Sequence, residues 1–220
     1  AYERVNWMMS EEKRSLIDES YVEALLELVP GLRARLDVGA TVLDAGCGDG
    51  TVLTTMARMF PRSAFRGYDL SREAIRRATE DAEALGLPNV EFEVGDIASL
   101  DEPRAYDLVL ALEAVRELAF PRLVLRNLAA ALKRDGVLIL QELAASSHLN
   151  RNLGNTFAPM LYAISCMHAV PVAASQEGEA LGAMWGKEKA LQLLAEAGFA
   201  KVRFETIASD PLSYYGVATK

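Results

Sequence analysis

From residue 41 onward, short apolar runs alternate with longer segments in which apolar positions recur at helical spacing. The apolar runs predict strands, and they cover residues 41–46, 64–69, 90–96, 106–114 and 136–143. The helical spacing covers residues 50–60, 71–86 and 120–133. Most of these runs are too continuously apolar for a sheet with one solvent-exposed face, so the strands should be buried on both faces of the sheet. The order of the elements therefore predicts a parallel sheet with crossover helices on both sides.

The alternation breaks after the fifth strand, where a segment of about forty residues, 144–183, precedes a helix predicted over 185–197. A connection of this length indicates an insertion. Two further strands are predicted at 200–208 and 213–220, joined through a turn at Asp210–Pro211. This connection is too short for a parallel crossover, so the two strands should be antiparallel. We therefore expect an α/β fold with a doubly wound seven-stranded sheet, mostly parallel with an antiparallel last strand.

The chain is expected to divide into two parts. Residues 11–36 show a helical pattern that breaks near Pro30, which predicts an N-terminal helical cap or linker over residues 1–40. The sheet, its helices and the insertion occupy residues 41–220.

The composition and the charge narrow the classes of partner. With 51% hydrophobic and 25% charged residues, the 220-residue chain has the composition of a soluble globular protein. Its net charge of -8 would repel nucleic-acid phosphates and anionic lipid headgroups, so neither nucleic acid nor a membrane is expected as a partner. Cys47 and Cys166 lie far apart and form no zinc-binding pattern, so no metal site is expected. This cysteine usage favours a cytoplasmic protein.

The strongest chemical signal is the sequence VLDAGCGDG at residues 42–50, where a buried strand leads into three alternating glycines and then a helix. Glycines at such a turn allow a sharp change of direction and let a ligand approach main-chain amides. Asp69 ends the second strand and Asp96 ends the third, so both should lie at the carboxyl edge of the sheet, where open α/β sheets bind ligands. A nicotinamide dinucleotide site would have glycine in place of Thr51, and a P-loop would have Gly-Lys after the glycines. Both of these nucleotide sites are therefore disfavoured.

Three motifs, VLDAGCGDG, GYDLS and VGDI, together resemble the successive cofactor-binding motifs of class I S-adenosylmethionine-dependent methyltransferases. The resemblance covers nearly the whole chain and implies a Rossmann-like fold, S-adenosylmethionine as cofactor and S-adenosylhomocysteine as product. It also implies that Asp44 and the glycine turn face the methionine part, that Asp69 binds both ribose hydroxyls and that Asp96 with Ile97 holds adenine. The cofactor-binding residues implied in this way are Asp44, Gly46, Cys47, Gly48, Asp69, Leu70, Asp96, Ile97 and Leu112. A carboxylate suits a vicinal diol because it accepts two charge-assisted hydrogen bonds at once.

Further motifs resemble a subgroup of bacterial methyltransferases whose catalytic half follows an N-terminal winged-helix domain. These motifs are WMM beginning at Trp7, LYAISCMHAV at 161–170, GEALGAMWG at 178–186 and AEAGF at 195–199. The resemblance implies that a winged-helix domain precedes this chain. The chain departs from the subgroup after the fourth strand, where Arg116 and Glu117 replace a His-Asp pair.

The acceptor side of such a site has to hold a nucleophile in line with a methyl group that sulfonium chemistry already activates. Positioning therefore supplies most of the rate, and a base is needed only where the nucleophile carries a proton. The predicted catalytic residues are Glu113, Glu117, His148 and His168. Glu142, Tyr162 and Trp185 are also expected near the acceptor, the two aromatic residues mainly as packing. The acidic charge favours a small-molecule acceptor, with oxygen expected first and nitrogen or carbon as alternatives.

Two other functions are compatible with the sequence. The loss of the His-Asp pair would also suit a non-catalytic module that binds S-adenosylmethionine or S-adenosylhomocysteine within a larger regulatory protein. A nicotinamide oxidoreductase is the third hypothesis, and Thr51 argues against it. The fold alone does not choose among the three, and the sequence leaves a homodimer open.

Overall fold

The strands form one seven-stranded sheet with helices on both faces. The computed structural model describes residues 17–175, 178–179 and 181–220. In chain order the strands are β1 (Thr41–Ala45), β2 (Ala64–Asp69), β3 (Val90–Val94), β4 (Tyr106–Leu112), β5 (Leu132–Leu143), β6 (Lys201–Ile207) and β7 (Asp210–Thr219). They lie in the order β3-β2-β1-β4-β5-β7-β6, and β7 runs antiparallel to both β5 and β6. The predicted fold class is therefore confirmed.

Helices cover both faces of the sheet. They are α1 (Glu19–Glu27), α2 (Leu32–Val38), α3 (Thr51–Met59), α4 (Arg72–Ala84), α5 (Pro121–Ala131), α6 (Ala158–Met167), α7 (Ala169–Ser175) and α8 (Gly186–Glu196). Helices α1, α2 and α3 contribute to the core on one face, and α5 and α8 contribute to the core on the other. This arrangement is the double winding that the alternation predicts. None of these helices is long and apolar enough to cross a membrane.

The central strands explain why the apolar runs are continuous. Val42 of β1 packs in the core beside α1, α2 and α3, and its neighbour Leu43 packs in the core beside α5. Leu108 and Val109 of β4 divide between the two cores in the same way. Because successive side chains of a strand point to opposite faces, a strand covered on both sides needs an apolar residue at every position. Each fully buried side chain of this size contributes about 1.5–3 kcal/mol.

Two short helices precede the sheet. The predicted break near Pro30 separates α1 from α2. Residue 11, where the helical pattern is predicted to begin, and Trp7 lie outside the described residues. The Tyr21 hydroxyl of α1 lies 3.3 Å from Gln141 Oε1 of β5, so α1 reaches toward the carboxyl end of the parallel strands.

The last hairpin differs in detail from its prediction. The turn lies at residues 208–209, so that Asp210 and Pro211 already belong to β7. Pro211 has no main-chain amide to donate, and it precedes Ser213, where the pairing of β7 with β5 begins. The proline therefore fits at the start of the strand.

The segment after β5 lies against the segment after β4. Residues 144–183 include α6 and α7, and α7 packs on the short 3-10 helix Val115–Glu117 that follows β4. The Glu179 amide donates a hydrogen bond to the Ala119 carbonyl at 2.7 Å. Gly178 lies so close to the main chain of Ala119 that a Cβ at this glycine would overlap it. The segment after β5 therefore covers the residues that follow β4.

Candidate functional site

The turn between β1 and α3 contains three glycines that serve different purposes. All three have positive φ, 85° at Gly46, 55° at Gly48 and 72° at Gly50, where a residue with a Cβ is strained. A Cβ at Gly46 would lie 2.6 Å from the Cβ of Ala114, and one at Gly50 would lie 2.5 Å from the ring of Phe92. A Cβ at Gly48 would meet no atom within 4 Å. Packing therefore requires the outer glycines, whereas the middle one borders open space that a ligand can enter.

The amides of this glycine turn tie it to β2. Gly46 and Cys47 both donate to the Tyr68 carbonyl, at 2.8 and 3.0 Å. Gly48 donates to Asp69 Oδ2 at 2.9 Å. Because β2 ends beside the turn and brings two acceptors within reach of the donors, these three amides fix the turn. That the main chain of the turn faces the methionine part of the cofactor stays a prediction.

Asp44 is a buried acid directly before the glycine turn. It is 2% exposed, and its Oδ1 atom accepts no hydrogen bond within the described part of the chain. Burial, and then the charge of Asp69, raises the pKa of Asp44 to about 8. A buried acceptor without a donor is destabilising unless a ligand or water satisfies it. An ammonium group would supply a donor and a countercharge, which fits the amino end of S-adenosylmethionine.

Asp69 lies half-buried at the end of β2. Its Oδ1 accepts from the Ser71 amide at 2.8 Å, and its Oδ2 accepts from Gly48. Burial raises the pKa of this carboxyl, the two amide hydrogen bonds oppose the rise, and the charge of Glu117 adds to it. A carboxylate offers about four lone-pair sites, so each oxygen can still accept from a ligand hydroxyl. The position fits the ribose of the cofactor.

A cavity of about 240 Å³ lies beside the ends of β2 and β3. It is lined by Leu70, Asp96, Ala98, Leu118, Ala119, Phe120 and Val124. The apolar side chains suit the faces of a purine. Asp96 Oδ1 accepts from the Ala98 amide at 2.8 Å, and its second oxygen can accept from an exocyclic amino group. Ile97 is buried in the core, so it can offer only its main chain to a ligand.

Arg116 is the centre of a group of charges that we call the acidic group. It is formed with Glu113 and Glu117, which also follow β4, and with Glu142 of β5. Its Nη1 lies 3.1 Å from Glu142 Oε2, and its main-chain amide lies 3.3 Å from Glu142 Oε1. Its Nη2 lies 3.8 Å from Glu117 Oε1 and 4.0 Å from Glu113 Oε2. Burial raises the pKa of Glu142, which is 0% exposed, and the charge of Arg116 opposes that rise. Three carboxylates thus surround one guanidinium.

The two histidines occupy different surroundings. His168 is buried, and its Nε2 lies 3.6 Å from Glu117 Oε1, so three of the predicted catalytic residues lie together. His148 is instead exposed, at the start of the 3-10 helix Leu149–Asn152. Within the described part of the chain, no group of three or more His, Cys, Asp or Glu side chains is arranged to hold a metal ion.

Three other residues singled out in the sequence pack against their neighbours. Leu112 is half-buried against the core beside α3. The Tyr162 hydroxyl accepts a hydrogen bond from Asn152 Nδ2 at 3.0 Å. Trp185 is buried in the core beside α5, and it lines a small cavity together with Arg116 and Glu142. Packing is the role that the sequence suggests for both aromatic residues.

Glu113, directly after β4, has a strained backbone, and the residue after it lies against the glycine turn. Glu113 has a φ of 58°, in the left-handed region that favours glycine. Such a conformation persists only where its surroundings impose it, and it occurs often at functional sites. The next residue, Ala114, lies against Gly46. The acidic group is therefore adjacent to the turn that would receive the cofactor.

The pairing of Arg116 with Glu142 is absent from the sequence interpretation. The sequence identifies Arg116 only as a departure from a His-Asp pair and Glu142 only as a residue near the acceptor. One signal was available, because Glu142 is the one charged residue of the strand predicted at 136–143, and a buried carboxylate needs a partner. Which cation is that partner follows only from the fold.

Comparison with known proteins assigns the family. Residues 36–198 match a family described as a methyltransferase domain. A (S)-tetrahydroprotoberberine N-methyltransferase of Eschscholzia californica is 29% identical over 133 residues, which are 60% of this chain and 37% of that protein. A release factor glutamine methyltransferase of Koribacter versatilis is 38% identical over 94 residues, 42% of this chain and 31% of that protein. The chain thus spans about a third of the length of these curated relatives.

A solved structure supports the same fold over nearly the whole chain. A SAM-dependent methyltransferase from Aquifex aeolicus superposes with a TM-score of 0.59 and 20% identity, covering 92% of this chain and 98% of that one. At this identity the likeness shows the fold alone. The family match spans most of the chain, and it agrees with the motifs at residues 42–50 and with Asp69 and Asp96. The chain belongs to the methyltransferase domain family, as a class I S-adenosylmethionine-dependent member.

Proposed function

We propose that this protein transfers a methyl group from S-adenosylmethionine to the amine nitrogen of a small-molecule acceptor. The observation that carries the proposal is the acidic group of Glu113, Glu117 and Glu142 around Arg116, adjacent to the glycine turn. The N-methyltransferase relative from Eschscholzia californica is consistent with it. The sequence analysis put oxygen before nitrogen, and the charge of the acidic group is the reason to reverse that order.

The cofactor would be held along the carboxyl edge of the sheet. Asp44 would pair with its amino group, Asp69 would accept from its ribose hydroxyls, and the cavity beside Asp96 would take its adenine. When bound, it supplies a methyl group that the sulfonium charge already activates. The protein then has to orient the acceptor and to keep water away from the reacting atoms.

The acidic group favours an acceptor that arrives as a protonated amine. Opposite charges attract across the site, whereas a carboxylate, a phosphate or a phenolate would be repelled. The Glu117 carboxylate can take the proton from nitrogen, with His168 3.6 Å away to share it. The freed lone pair would then form the N–C bond as the S–C bond of the sulfonium breaks and its electron pair stays on the sulfur of S-adenosylhomocysteine. The positive charge that methylation leaves on nitrogen is then stabilised by Glu113 and Glu117.

The segment after β5 supports a small acceptor rather than a macromolecule. This segment covers the residues after β4 through α7 and through the hydrogen bond from Glu179 to Ala119. His168, which belongs to the covering segment, is buried next to Glu117. A protein acceptor, such as the name of the Koribacter versatilis relative indicates, would need an open groove at this place. An acceptor that fits beneath α7 has to be small.

A transfer assay with methyl-labelled S-adenosylmethionine tests this function. We expect label in secondary or tertiary amines of a panel that also contains phenols and carboxylic acids of similar size, because the acidic group attracts only the amines. At a subsaturating cofactor concentration, the Asp69→Ala variant should give at least tenfold less label in all of them, because its affinity for the cofactor is lower. Label confined to phenols or carboxylic acids would overturn the amine assignment. Binding of S-adenosylhomocysteine without transfer to any acceptor would favour the non-catalytic binding module.

Cofactor binding should release a proton from Asp44. With a pKa of about 8, Asp44 is mostly protonated at pH 7, and an ammonium group beside it would favour the ionised form. We expect release of up to one proton per bound S-adenosylhomocysteine at pH 7, falling toward zero above about pH 9, where Asp44 is already ionised. Calorimetry in buffers of different ionisation enthalpy measures this number. An Asp44→Asn variant that releases the same number of protons would assign the proton to another group.

A further inference from the structure

We propose that the outer face of helix α6 is the interface of a homodimer, in which it packs against the same face of a second copy of the chain. The inference goes beyond the proposed function and does not depend on it. Its basis is a row of exposed apolar side chains in a region of the chain that has no acidic residue. We name this row the apolar stripe, and it consists of Phe157, Met160, Ile164 and Met167.

The apolar stripe follows the period of the helix. At about 100° per residue, its four positions lie within about 80° of the helix circumference. Their side chains are between 37% and 68% exposed. A different face of α6 anchors the helix to the protein, because Ala158, Leu161 and Ser165 are buried and Leu161 packs with Ala145 and Met184. The stripe is therefore a second apolar surface, which the anchoring of α6 does not use.

The rest of the exposed surface of α6 is also uncharged. The other exposed residues of the helix are Pro159, Ala163 and Cys166. A helix that is apolar on every side is normally buried, whereas a helix on the surface has a polar face. Helix α4 has such a face, where Arg76 pairs with Glu80. The surface of α6 is therefore typical of an interface and not of a solvated helix.

The distribution of charge favours a second copy as the partner. Residues 144–175 contain no Asp or Glu, although the chain has 31 of them and a net charge of -8. Two copies repel each other over most of their surface, and the repulsion is weakest where acidic residues are absent. Arg151 is the only lysine or arginine of this segment, and it is paired with Glu188 at 3.0 Å. A helix that binds anionic lipid has Lys or Arg on its polar face, and α6 has neither, so a membrane is disfavoured.

The size of a stable interface shows how far the contact should extend. A standard interface buries about 800 Å² on each partner, more than one face of a ten-residue helix offers. Leu149 and Leu153 precede α6 in the chain and are 66% and 80% exposed, so we expect them to join the contact. A two-fold axis would bring each apolar stripe against the same stripe of the other copy. The methionines suit this arrangement, because their flexible side chains adapt to the opposing surface.

The molar mass in solution tests the interface, and sedimentation equilibrium measures it. At micromolar concentration we expect twice the 24.0 kDa of one chain. Met160→Glu should raise the dissociation constant of the dimer at least about a hundredfold, because each copy would bury a carboxylate without a partner. Leu191→Glu is the matched control, since Leu191 lies on α8 and is 46% exposed, against 47% for Met160. This control should keep the mass of the dimer.

A second substitution in the stripe, Met167→Glu, should have the same effect and serves if Met160→Glu does not fold. Wild-type protein that is monomeric throughout the micromolar range would overturn the inference. Folded Met160→Glu and Met167→Glu variants that stay dimeric would overturn it too, because the interface would then lie elsewhere. A monomer that floats with vesicles of phosphatidylcholine and phosphatidylglycerol would assign the stripe to a membrane instead. These measurements need neither cofactor nor acceptor, so a failure of the proposed function would leave their outcome unchanged.

Discussion

The Asp69→Ala variant should bind S-adenosylhomocysteine at least tenfold more weakly than the wild-type protein. The carboxylate can accept from both ribose hydroxyls, and hydrogen bonds to a charged group contribute about 1.5–3 kcal/mol each when they are buried. The substitution also removes the acceptor for the Gly48 amide, at 2.9 Å, and for the Ser71 amide, at 2.8 Å. The glycine turn would therefore lose part of its attachment to β2 at the same time. Titration calorimetry gives the affinity directly.

Two further variants separate the loss of binding from a loss of folding. Asp69→Asn keeps an oxygen acceptor but no charge, and we expect its affinity to lie between those of the wild type and Asp69→Ala. Asp101→Ala removes an exposed carboxylate from a loop and should change nothing. Thermal unfolding of all three variants shows whether the fold is intact. Wild-type affinity in folded Asp69→Ala would remove the ribose assignment.

The same substitution, Gly to Ala, should mainly lower stability at Gly50 and mainly weaken cofactor binding at Gly48. At Gly50 the added Cβ would lie 2.5 Å from the ring of Phe92 and 2.8 Å from the Cβ of Ala78, on a residue with φ of 72°. Overpacking of about 1–3 kcal/mol and left-handed strain of about 1–2 kcal/mol add together there. We expect Gly50→Ala to lose about 2–4 kcal/mol of unfolding free energy, measured by denaturant titration.

At Gly48 the added Cβ meets no protein atom within 4 Å, so only the strain of φ 55° remains. We expect a loss of about 1 kcal/mol in stability and a fall of more than tenfold in affinity for S-adenosylhomocysteine, because the Cβ would occupy the space beside the turn. The comparison tests where the ligand lies. Normal cofactor binding by folded Gly48→Ala would mean that the open side of the turn is not the binding side.

Several sequence expectations stay predictions. A winged-helix domain before this chain, a homodimer, a cytoplasmic location and the boundary between residues 1–40 and 41–220 are among them. The assignments of the individual cofactor and catalytic residues are predictions as well, and the variants of Asp69, Asp44 and Gly48 test the first group. His148 is the weakest of the catalytic candidates, because it is exposed while His168 is buried beside Glu117.

The sequence alone determined the sheet, and it predicted where the cofactor binds. The strand predicted at 106–114 begins where β4 begins, because a strand in a parallel sheet with helices on both faces must be apolar over most of its length. Residues 42–50, Asp69 and Asp96 were recognisable because main-chain geometry and ligand chemistry restrict each of these positions to few residue types. Such local requirements can be recognised in a single amino-acid sequence.

Only the tertiary structure decided which side chains lie together after β4, where the acceptor is proposed to bind. Arg116 and Glu142 are 26 positions apart, and their pairing depends on β4 and β5 being neighbours in the sheet. His168 reaches Glu117 only because the segment after β5 returns over the end of β4. Contacts of this kind depend on how separate elements pack, and no local pattern records them. The group of charges on which the proposed amine acceptor rests was therefore visible only after the chain had folded.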